Sequence, residues 1–146
     1  MPPSNVSVPP VLPPSASAAA CPFVDTDEVQ NDNGQHVGSV KISSTSDGQP
    51  HPVCYFYRPD GHLELTIRVY VGSPAVATAV VNQAAPISTS DPANQPAGWN
   101  GGSMARPKGA VYAISKGGTA IVVISNQLQT IKCRLVATAV VAKLGG

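Results

Sequence analysis

Apolar and polar positions alternate most cleanly between Leu63 and Val71. Leu63, Leu65, Ile67, Val69 and Val71 fall on one side, and Glu64, Thr66, Arg68 and Tyr70 on the other. That period of two predicts a strand with one buried and one wetter face. Upstream, Val53 to Arg58 is an aromatic-rich strand pattern, and Pro59-Asp60-Gly61 between the two runs is a hairpin turn. Ser39–Ser43 alternates as a shorter strand, followed by a polar turn region from Ser44 to Pro50. Next, Ser73 and Pro74 supply a helix cap and a proline at the first helical position. Val76, Ala77, Val80, Val81 and Ala84 then recur at helical spacing up to Pro86.

The same order returns downstream. Ala110–Ser115 and Thr119–Ser125 flank Lys116-Gly117-Gly118 as a second hairpin. Leu128, Ile131, Leu135, Ala139 and Ala142 form the apolar stripe of a last helix, which stops at Gly145-Gly146. Ala-Thr-Ala-Val-Val occurs in both helical patterns, at Ala77–Val81 and again at Ala137–Val141. Near the start, Asp25, Thr26, Asp27 and Glu28 suit the positive end of a short helix that Gly34 terminates, and capping accounts for these acids without a metal. The polar stretch from Ser88 to Lys108 reads as a long loop around Trp99, the sole tryptophan. The expected fold is α+β: an antiparallel sheet with helices packed on one face, pseudo-duplicated β-β-α units and a short N-terminal helix.

Composition narrows the setting. A chain of 146 residues makes one domain. A net charge of +1 with 12% charged residues gives no general reason to expect nucleic acid or an anionic surface as partner. No apolar run approaches the roughly 18 residues of a membrane span. Residues 1–20 carry six prolines and no charged side chain, a composition that favours extended conformers and forms no packed core. At roughly 3 Å per residue such a disordered tether reaches about 60 Å, ahead of a single α+β domain over residues 21–146. Ala18-Ala19-Ala20-Cys21 resembles a lipidation site but lacks the basic start and apolar stretch of a signal peptide. Any export signal and lipid anchor is therefore expected upstream of Met1.

Cys21, Cys54 and Cys133 lie far apart, with no Cys-x-x-Cys pair and no histidine at zinc spacing, so no metal site is expected. In an oxidising compartment they make one disulfide and one odd thiol. Cys21–Cys54 is the favoured pair, because it would pin the first element to the sheet; the alternative is a cytosolic chain with all three reduced. The catalytic inventory is thin. His36, His51 and His62 sit in or beside turns without a spaced carboxylate or a nucleophile elbow. Neither Gly101-Gly102 nor Gly117-Gly118 has the flanks of a phosphate cradle, and no cofactor is expected. Binding residues are better represented. Tyr55, Phe56 and Tyr57 are consecutive, so at least one aromatic points away from the core. Arg68 and Tyr70 share the polar face of the next strand, and Tyr55, Tyr57, Arg58, Arg68 and Tyr70, with Trp99 in the long loop, are the candidate binding residues. The competing structural explanation is that Tyr and Arg only cover an open sheet and that Trp99 plugs its end.

Three stretches carry a resemblance. They are Cys21-Pro22-Phe23-Val24-Asp25, then His51 to Gly61, then Pro96-Ala97-Gly98-Trp99 together with Lys116-Gly117-Gly118-Thr119-Ala120. Over residues 21–146 the chain resembles a family of actinobacterial exported domains, mostly lipoproteins, without an assigned activity. The resemblance implies an envelope location, attachment through an upstream lipid-bearing cysteine, and the Cys21–Cys54 bond; it supplies no catalytic residue. The expected role is a non-enzymatic envelope domain that binds a protein or cell-wall component through its sheet face or Trp99 loop. The alternatives are a carrier of a lipid or other apolar small molecule and, more remotely, an envelope hydrolase.

Overall fold

A computed structural model of the chain describes residues 8–45 and 51–145. The first residues of the expected tether, most of the Ser44–Pro50 turn and Gly146 lie outside the described residues. The elements run β1 (Pro14–Ala18), α1 (Thr26–Asn33), β2 (Ser39–Ser43), β3 (Cys54–Tyr57), β4 (Leu63–Val71), α2 (Pro74–Ala84), β5 (Asp91–Ala93), β6 (Asn100–Arg106), β7 (Gly109–Lys116), β8 (Thr119–Ser125) and α3 (Thr130–Leu144). All strands join one antiparallel sheet in the order β1-β2-β3-β4-β8-β7-β6-β5. The α+β class is as the pattern predicts. The two hairpins, β3–β4 and β7–β8, meet edge to edge through β4 and β8, from Leu65 opposite Ser125 to Val71 opposite Thr119.

The helices divide between the two faces, rather than packing on one. Phe56, Leu65, Ile67, Tyr112, Ile114, Ile121 and Val123 face α1 and α3, in a core shared with Val29, Val136 and Val140. The alternate residues Val111, Ala113, Ala120 and Val122 face α2, packing with Ala77, Val80 and Val81. The reason is legible in β7 and β8, where Ala110–Ile114 and Ala120–Val123 are buried at every position; a strand apolar on both sides needs cover on both. The repeated Ala-Thr-Ala-Val-Val has the same use in each helix. Ala77, Val80 and Val81 are buried in α2, and Ala137, Val140 and Val141 in α3, each set spaced i, i+3, i+4 toward the sheet. The β-β-α units thus repeat in connectivity and in helix contact while their helices take opposite faces.

Three further features depart from the sequence pattern. Residues 91–93 and 100–106 form β5 and β6 instead of a loop. Asn-Gly-Gly-Ser carries no alternating apolar signal, yet β6 needs its glycine: a Cβ on Gly101 would lie 1.8 Å from the Ala113 carbonyl oxygen. The expected tether contributes β1, which pairs with β2 at Pro14–Ser43 and Ala18–Lys41. The stripe expected to bury α3 is its outward side, since Leu128, Ile131 and Leu135 are exposed while Cys133, Val136 and Val140 are fully buried.

Candidate binding face

The face of the sheet that carries α2 is covered unevenly. α2 lies over β8, β7 and β6 and meets β4 only near Tyr70, leaving Tyr55 of β3 and Arg68 of β4 to the extended N-terminal segment. Val8 packs at the edge of the α2 core. Arg68 then donates from Nη2 to the Pro9 carbonyl, and the Tyr55 hydroxyl donates to the Leu12 carbonyl. The segment turns into β1, and the Ala19 N–H donates to the Val40 carbonyl at 3.0 Å. Cys21–Cys54 closes the arrangement by bonding the chain to the first residue of β3. Residues 8–13 are therefore a strap across the polar face that Tyr55, Thr66 and Arg68 were expected to present to solvent.

Between this strap and α2 runs a groove of about 210 Å³, lined among others by Val11, Thr66, Arg68, Gln83, Arg106 and Ile124. Two arginines define its polarity. Arg106 donates to the Ala84 carbonyl at the end of α2, at 2.9 Å. Arg68 is only 9% exposed, and burial lowers its pKa from the ordinary value, opposed by the nearby Tyr55. Among the described residues no carboxylate pairs with either arginine. A buried guanidinium without a counter-ion is costly to hold, and its donors suit carbonyl or carboxylate oxygens.

The other expected binding residues do not converge on the groove. Tyr70 is buried, and its hydroxyl accepts the Ser73 N–H at 3.3 Å, beside the α2 cap. Tyr57 stacks under the Lys41 ammonium, 5.5 Å from the ring centre. Arg58 pairs with Asp60 at 2.7 Å in the exposed hairpin turn. Trp99 is 4% exposed in the α1/α3 core, so its environment is that of a plug. Asp60 and Glu64, close in sequence, part company. Asp60 serves its turn, its carboxyl held below the ordinary value by the His62 backbone N–H, while Glu64 is buried.

Glu64 belongs to a polar cluster inside the molecule. The register slips by one residue between Phe56–Leu65 and Tyr57–Leu63, a bulge that takes Glu64 out of the strict alternation. Asn33 of α1 donates to Glu64 Oε1 at 3.3 Å, and the Ser125 hydroxyl donates to Asn33 Oδ1 at 2.5 Å. Burial pushes the Glu64 carboxyl above its ordinary value, against the Asn33 bond and the charge of Arg58, and among the described residues its Oε2 has no hydrogen-bond partner. This cluster latches α1 to the β4–β8 seam. Cys133 is a free, buried thiol whose pKa burial raises to about 12, which leaves it un-ionised and inert as a nucleophile.

The strap and the groove had one signal in the sequence that pattern reading passed over. A proline-rich segment has few N–H groups to pair with its own carbonyls, which leaves those carbonyls open to side-chain donors such as Tyr55 and Arg68. No curated protein matches the chain. Residues 5–146 match the family described as a domain of unknown function, DUF2020, and the chain belongs to that family.

Proposed function

We propose that this DUF2020 domain is a non-enzymatic binding module of the actinobacterial cell envelope, exported and held to a membrane through a lipidated cysteine upstream. Its groove between strap and α2 takes an extended segment of a partner protein. One observation carries the reading: Tyr55 and Arg68 already hold an extended chain by two backbone carbonyls, with a second arginine in the same groove. An acidic side chain of the partner meets Arg68 and Arg106, supplying the carboxylate that the described residues do not. The disulfide is consistent with an extracytoplasmic address, and among the described residues no helix is long and apolar enough to cross a membrane. The groove's 210 Å³ falls short of the roughly 300–1,000 Å³ of small-molecule sites, which favours one or two side chains of a peptide over a carried lipid.

The test is a photo-crosslinking residue at Thr66 in the exported protein, expressed in an actinobacterial host. The expected product is a discrete adduct with an envelope protein, lost in Arg68→Met and weakened in Arg106→Gln, with both variants folded by circular dichroism. Adducts that persist unchanged in both folded variants refute the groove. An adduct with lipid instead of protein moves the carrier role into its place.

A further inference from the structure

All eight acidic residues stand at or before Asp91, whereas six of the nine cations (Arg106, Lys108, Lys116, Lys132, Arg134 and Lys143) follow it. The near-neutral total conceals a C-terminal stretch of 55 residues, 92–146, without a single acid. An asymmetry of this kind points to an anionic partner.

The structure joins that charge to an apolar surface. Leu128, Ile131 and Leu135 are 58%, 49% and 44% exposed, and the spacing of Ile131 and Leu135 puts them on one side of α3. Lys132 and Arg134 are the neighbouring charged positions of the same helix. The β6–β7 turn brings up Lys108: Ala110 pairs with Ser125, and a Cβ on Gly109 would touch the Ser125 carbonyl, two to three residues before Leu128. Of the α1 acids, Glu28 lies farther along α3, where it shares a cleft with Ala139 and Ala142.

We infer that the N-terminal half of α3 docks on an anionic lipid surface, with Leu128, Ile131 and Leu135 inserted at the headgroup boundary and Lys108, Lys132 and Arg134 over the phosphates. The patch is aliphatic and lacks the Trp and Tyr anchors of protein interfaces. Its charge has one sign, which suits a diffuse anionic plane better than a patterned protein face. α3 and the groove lie on opposite faces of the sheet, so this inference stands whether or not the groove takes a peptide.

Vesicle flotation of the unlipidated 146-residue chain tests it, with phosphatidylglycerol–phosphatidylcholine vesicles against phosphatidylcholine alone in 50 mM salt. Binding is expected to the anionic vesicles only. Ile131→Ser and Leu135→Ser should each weaken it about tenfold, from re-exposure of a half-exposed aliphatic side chain, with Tm unchanged. Arg134→Glu should weaken it as well. Absence of binding to anionic vesicles overturns the inference, as does undiminished binding by the Ile131→Ser/Leu135→Ser double variant. A concentration-dependent dimer that the same double variant dissolves would also overturn it, by making a second copy the occupant.

Discussion

Removing the Cys21–Cys54 bond measures how much of the fold depends on holding its first segment down. The two residues are 33 apart, and the chain-entropy relation for a closed loop of that size gives about 3.7 kcal/mol at 25 °C. At roughly 3 °C per kcal/mol for a domain of this length, Tm should fall by about 11 °C. Cys21→Ala/Cys54→Ala is the perturbation, and Cys133→Ala, which leaves the bond intact, is the control. Urea unfolding followed by far-UV circular dichroism gives the loss, and limited proteolysis locates it. Because β1 and the strap immediately precede Cys21 in the chain, cleavage within residues 8–20 should appear first. A loss below about 1 kcal/mol would refute the reasoning, since strap and β1 would then hold the segment without help. An equal loss in Cys133→Ala would refute it too, by assigning the effect to core packing.

Two further outcomes follow from burial. Trp99→Ala should cost about 3–5 kcal/mol, because the indole is 4% exposed within the α1/α3 core; a folded, equally stable variant in urea would return Trp99 to the list of binding residues. Glu64 has its folded pKa raised above 4.5 by burial, so its contribution is most favourable at pH values below 4.5 and is lost as pH rises through the folded value. Glu64→Gln should therefore gain on the wild type between pH 4 and pH 8 in urea titrations, and a wild type that gains on the variant over that interval contradicts the assignment.

Much of the fold was legible because its signals are local. β4 and both hairpins show in alternation and turn residues, and Ser73 caps α2 as expected, accepting the Val76 N–H at 3.1 Å. What escaped is set by distant contacts. β6 is a strand because β7 pairs with it, while its own Asn-Gly-Gly-Ser carries no strand propensity. α3 is apolar nearly all round, so the period of 3.6 did not say which side faces in; the sheet chose Cys133, Val136 and Val140 because small residues permit close approach. Glu64 was read as outward since alternation cannot show a bulge. For the candidate site, Tyr55 and Arg68 were among the six residues singled out, but the occupant was hidden in a segment whose composition forms no core. Arg106 entered the groove from a stretch read as loop. Charge segregation is plain in the order of the residues and vanishes only in the net charge of the whole chain.

The seam between β4 and β8 governs when this protein can exist at all. Leu65–Val71 must find Thr119–Ser125, across about fifty intervening residues that include α2, β5, β6 and β7. During synthesis the N-terminal half emerges first, and the edge of β4 that pairs with β8 stays bare until Thr119–Ser125 arrives. Contacts this distant in sequence slow folding, and an unpaired apolar edge invites wrong partners in the meantime. A chain that stops before Thr119 leaves the β4 edge unpaired and its core without the share that β8 and α3 contribute.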